Sequence, residues 1–238
     1  MLWQKGWLET RFRLLFTLGI TLFILTFHYS MRNSLPKSSS AKGALPALLG
    51  LVFTYGILVM MAEAMLAGAG VTTQPSLQAS KGLHGSTLFT LSLPVSRLRL
   101  LAVRAAIGWA EVAAMIAILC CGFWFASPLV RMMATPIEMM EYAATLLACG
   151  SALYGLSVLL ATFLDDQWRT WGTMIAGGAL AGLSSRAWLP ASIDIVRAIG
   201  RGSPLFTHAI PWPAMAFSLA LAAIFFVTAL KVVQTREY

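Results

Sequence analysis

The side chains able to carry chemistry in this chain are few, and most lie inside apolar runs. Glu63 falls near the end of one such run and Glu111 near the middle of another. An ionisable group at membrane depth costs at least about 2.5–3.5 kcal/mol on insertion scales, so it normally faces protein or water. Two roles suit such a carboxylate: a place on a translocation or proton path, or a hydrogen bond between helices. Glu63, a turn or two from the cytosol, favours the second; for Glu111 both stay open. His28, His84 and His208 are far apart and show no ligand spacing. Cys120, Cys121 and Cys149 sit in apolar runs and read as small hydrophobic fillers, with no ligand partners that would make a metal site. The chain contains no GxxxxGK[ST] phosphate loop, no GxSxG elbow and no HExxH zinc motif. No catalytic residue, cofactor or metal is therefore expected on it.

The elements that must hold these residues are membrane spans. Of 238 residues, 58% are hydrophobic and only 11% charged, with a mean hydropathy of +0.77. Soluble domains carry about 25% charged residues, which places this chain in the membrane class. Its net charge of +8 suits Lys- and Arg-rich cytoplasmic loops. The basic residues are scattered between apolar runs with no nucleic-acid motif, so no nucleic-acid partner is expected.

A span needs about 20 apolar residues. Six candidates occur, at about 14–30, 45–69, 100–125, 144–164, 170–185 and 214–233, the fifth being short and rich in small residues. Ahead of the first, Trp3, Trp7 and Phe12 recur at helical spacing among Lys5, Arg11 and Arg13, the pattern of an interfacial amphipathic helix. With the N-terminus cytoplasmic, ten Lys and Arg lie inside, Arg104 and Arg169 among them, and seven outside. That balance favours both termini inside. Asp165 to Arg169 reads as a tight cytoplasmic turn, with Trp168 and Trp171 as interface anchors. Gly178 and Gly182 stand at GxxxG spacing, with Gly172 and Ala176 a turn earlier. Small residues let helix backbones approach closely, either at a dimer seam or within one subunit. Between the fifth and sixth spans, "WLPASIDIVRAIGRGSP" predicts a short amphipathic helix, with Pro190 in its first turn and Gly200 at its end.

The remaining connection, between the second and third spans, contains "GSTLFTLSLPVSRLRLL" (Gly85–Leu101). Leu88, Leu91 and Val95 offer an apolar face, and Arg97 and Arg99 a basic one. Pro94 lacks an N–H, so it ends a preceding helix and sets the angle into the third span. Gly85 followed by Leu93, Pro94, Val95, Ser96 and Arg97, placed between spans two and three, resembles the permease subunits of ABC type-2 exporters. "SPLFTHAIPWPA" and the C-terminal "ALKVVQTREY" resemble that family too, so the likeness runs over the whole chain.

The resemblance implies an all-α integral membrane protein of the bacterial cytoplasmic (inner) membrane. It would have six transmembrane helices, an N-terminal interfacial helix, and a cytoplasmic coupling helix between spans two and three. Short extracellular or re-entrant helices would lie between spans five and six. It also implies two partners, a second permease subunit, as in a homodimer, and a separate ABC ATPase that binds ATP and Mg. Gly85, Leu88, Leu91, Leu93, Pro94, Val95, Ser96, Arg97 and Arg99 would then form the ATPase-coupling surface. The competing readings are a stand-alone channel or proton-linked carrier using Glu63 and Glu111, and a membrane-integral enzyme, for which no catalytic constellation is found. The cargo is not legible in the sequence.

Overall fold

In a computed structural model of the chain, the structure describes residues 2–34, 56, 96–126, 130–131, 134–164 and 166–235. These residues form helices and turns, with no strand among them. The helices are α1 (Leu2–Ser34), α2 (Arg97–Ala126), α3 (Pro136–Leu160), α4 (Asp166–Ser185), α5 (Ile195–Ile199), α6 (Pro204–Thr207) and α7 (Trp212–Thr235). Three of them, α2 from Leu101, α3 and α7, are long and apolar enough to cross a membrane.

The expected third and sixth spans correspond to α2 and α7 within a few residues. Three boundaries differ. The segment expected to lie in the interface and the first span are a single helix, α1, because no proline interrupts Leu2–Ser34. The fourth span begins at Pro136, eight residues before the expected start at 144. Thr135 caps it through a reciprocal pair of bonds: the Glu138 N–H donates to Thr135 Oγ1 (3.2 Å) and the Thr135 N–H donates to Glu138 Oε2 (2.7 Å). Such a capping box satisfies two of the backbone donors that a helix start leaves open, and Pro136 suits the first helical position. The tight turn falls at 161–164, so Asp166 to Arg169 belong to α4. The second expected span, 45–69, lies outside the described residues except Gly56, which is helical and buried against Tyr142 and Leu146 of α3.

α3 is the most enclosed of the three long helices, packed against α2, α4 and α7. Its tightest seam is with α7. A Cβ on Gly155 would stand 2.9 Å from Ala222 Cα and 3.0 Å from its carbonyl oxygen. One helical turn away, Ser218 Oγ donates to the Cys149 carbonyl (2.7 Å) and accepts from the Ala152 N–H (3.2 Å). Small residues that allow backbone approach, joined by a hydroxyl that bonds across, are how helices adhere in lipid, where hydrophobic burial supplies no preference between neighbours.

The pairings also give directions. Thr145 meets Met215, Cys149 and Ala152 meet Ser218, and Gly155 meets Ala222. Both numbers rise together, so α3 and α7 run parallel. Tyr154 meets Ala105, while Trp124 Nε1 donates to the Ala134 carbonyl (3.4 Å) beside the start of α3, so α2 and α3 are antiparallel. Leu25 of α1 lies against Gly122 near the end of α2. Among the described side chains of α1 the buried ones, Thr17, Thr21 and Ile24, precede that contact, and Thr26, Phe27, Tyr29 and Ser30 after it are exposed. The face that packs on α2 therefore runs back from Gly122, and α1 is parallel to α2.

Candidate functional site

Three places in the described structure bear on function. The first is the start of α2. Ser96 is exposed and its Oγ accepts the Arg99 N–H (3.3 Å), the bond of a helix N-cap to its third residue. Arg97 is the first helical residue, and Leu98 and Arg99 are exposed. The serine of the Leu-Pro-Val-Ser-Arg run thus has a local task that its assignment to a coupling surface overlooked: it starts the helix. Gly85, Leu88, Leu91, Leu93, Pro94 and Val95 lie outside the described residues, as does Glu63.

The second place is a charged cluster within the bundle, which charge counting does not reveal. Arg104 is 7% exposed and Arg169 2%. Both were expected in the cytoplasmic set of loop cations, but both are enclosed by helices and engaged there by other groups. Glu111 is half-buried and likewise engaged. The Tyr154 hydroxyl donates to the carbonyl of Ala105, the residue after Arg104 (2.6 Å), and Tyr154 lies within electrostatic reach of both Glu111 and Arg169. Arg104 and Glu111 share one face of α2, two helical turns apart. Measured from Arg97 along the axis, they lie about 10 and 20 Å into the bundle. Thr173, a turn beyond Arg169, is also buried and donates to the Arg169 carbonyl (3.0 Å). Isolated buried charge is too costly to persist, so opposite charges gathered about one phenol are the arrangement that tolerates it.

The third place is the end of the bundle where α3 and α7 begin. Asp194 caps α5, its Oδ1 accepting the Arg197 N–H (3.0 Å) and its Oδ2 the Ser184 hydroxyl at the end of α4 (2.7 Å). Ile195, Ala198 and Ile199 are buried against the bundle. The helix expected from Pro190 is therefore shorter. Pro190 stands in the turn before it, because Asp194 is the residue that captures the open N–H; Gly200 does end it. Farther on, His208 Nδ1 meets Glu138 Oε1 at 2.5 Å.

The small residues of α4 separate into two groups. Gly172 packs inside the chain, its Cβ position 3.0 Å from Leu160 Cδ1, and Ala176 is half-buried. Gly178 and Gly182 are exposed and meet no described neighbour, so their spacing serves no packing within the described chain. Comparison with protein-family models, curated proteins and solved structures gives no match.

Proposed function

We propose that the chain is the transmembrane subunit of an ATP-driven exporter in the bacterial inner membrane. It would pair with a second permease subunit and be energised by a separate ABC ATPase that docks on residues 85–99. The observation that carries this reading is the position of Ser96 and Arg97 at the first turn of α2. A partner gripping the preceding segment would hold the third span by its end. ATP-driven closure of that partner would then tilt α2 and shift the population between inward- and outward-open arrangements.

The helix directions support the six-span topology. Parallel α1 and α2 require an odd number of crossings between them if both traverse the bilayer, which the apolar run at 45–69 supplies. Parallel α3 and α7 impose the same parity on α4. Its 20 residues extend about 30 Å, the thickness of the hydrocarbon layer. Exposed Trp168 and Trp171 stand near its beginning, and Trp188 follows its end, as interfacial aromatics would. Six crossings put both termini on one side, and the balance of Lys and Arg favours the cytoplasmic one.

The deciding experiment is co-purification with the candidate ATPase, comparing wild type with Leu91→Asp and Arg97→Glu. Glutamate at a helix N-terminus favours the helix dipole, so Arg97→Glu keeps α2 intact while reversing the docking charge. Loss of ATPase association in both supports the assignment, and normal association with transport in both refutes it. The second reading, a proton-linked carrier built on Glu63 and Glu111, rests on the intramembrane charge around Tyr154. It requires the purified chain alone to move protons or solute across liposomes without ATP.

A further inference from the structure

We infer that residues 203–210 form a strap, latched by His208 to Glu138, that opens as a unit separate from the helix bundle. The latch is built on the bundle side first. Glu138 Oε2 is held by the Thr135 N–H and by its hydroxyl (3.1 Å), so the carboxylate is oriented by the start of α3 whether or not the strap is present. That leaves Oε1 directed at His208, 70 residues away in sequence. The histidine side chain is 65% exposed and that of Glu138 19%, so water can replace the contact as it breaks.

The closed strap carries two internal costs. His208 ends α6 with φ 51°, in the left-handed region that L residues adopt at an energetic cost. Ser203, 1% exposed, precedes α6 as its cap, yet its hydroxyl makes no hydrogen bond. A buried hydroxyl without a partner loses its hydration for nothing in return. Against these stand the burial of Pro204 and of Leu205 in the core, the packing of Ile210 at the strap's far end, and the contact to Glu138. The preceding α5 is secured independently by Asp194 and Ser184, so opening stops at the Gly200–Gly202 turn. Local opening draws on segments with few anchors and solvent-facing bonds, and this strap is such a segment. It packs against the beginning of α3, and the inference does not depend on the transport reading.

Hydrogen exchange of the full chain in lipid nanodiscs tests it at the Phe206, Thr207 and residue-208 amides, which bond to the Ser203 and Pro204 carbonyls. His208→Asn keeps a residue that tolerates the left-handed turn but cannot reach Glu138. These amides should then exchange about tenfold faster, with rates in the middle of α3 unchanged. Unchanged strap rates, or an equal acceleration through α3, would overturn the inference. Ser203→Ala removes the stranded hydroxyl and should slow the same amides about threefold. If His208→Asn does not assemble, this variant decides alone: slower exchange supports the strap, and unchanged or faster exchange refutes it.

Discussion

At the scale of single residues, the bundle depends on where a side chain is missing and where a charge is hidden. Gly155 leaves room for the backbone of α7, so Gly155→Ala must force α3 and α7 apart. The expected loss is about 1–3 kcal/mol, read as a lower unfolding midpoint in detergent. Gly178→Ala is the control. With open space at its Cβ position, it should leave the midpoint level or raise it slightly, since alanine is the better helix former. Arg169 represents the opposite case. Its side chain is enclosed and, like Glu111, lies within electrostatic reach of Tyr154; if the two charges balance each other, Arg169→Ala costs about 3–5 kcal/mol. Removing charge on both sides, as in Arg169→Met with Glu111→Gln, should recover much of that loss in the same melting assay. A double variant no more stable than Arg169→Ala would show that the two groups are not energetically coupled.

At the scale of elements, uninterrupted apolar runs reveal themselves. α7 was legible in the sequence because nothing charged breaks its centre, and α2 because Glu111 is a single acid in an otherwise apolar stretch. The expected start of the fourth span at 144 leaves out Glu138 and Glu141, although Thr135-Pro136-Ile137-Glu138 spells the capping box that fixes the start of α3. The burial of Arg169 was not legible, because Asp165 to Arg169 reads as a tight cytoplasmic turn, whereas Arg169 lies inside α4 and is buried. The Glu138–His208 contact joins two segments whose meeting no local pattern announces. Ser96 offers the cleanest test at this level. Ser96→Ala should cost about 1 kcal/mol of α2 stability and Ser96→Asp almost nothing, measured by exchange of the amides in the first turn. Because the serine is exposed, an effect on ATPase association without an effect on those amides would separate docking from capping.

At the scale of the whole molecule, parity is the strongest constraint. Single cysteines placed in a background lacking Cys120, Cys121 and Cys149 can be labelled from one side of sealed vesicles with a membrane-impermeant thiol reagent. Ser96, Phe163 and Thr235 should react from one face, and Thr135 and Ser185 from the other. All five are exposed or lie at the end of a helix, so labelling reports sidedness rather than burial. Labelling of Ser185 from the same face as Phe163 would remove α4 from the set of spans and break the six-span topology.

The seam between α3 and α7 also bears on how the protein is made. α3 is complete by residue 160, but its partner is finished only with residue 235. At translation rates of about 5–20 residues per second, the interval is about four to fifteen seconds. During that interval the Cys149 carbonyl and the notch at Gly155 have no Ser218 and no Ala222 to receive them. Until then the nascent bundle has its central helix open along one side. Substitutions at Ser218 or Ala222 should accordingly lower the amount of protein that accumulates in cells more than they lower the stability of molecules that complete assembly.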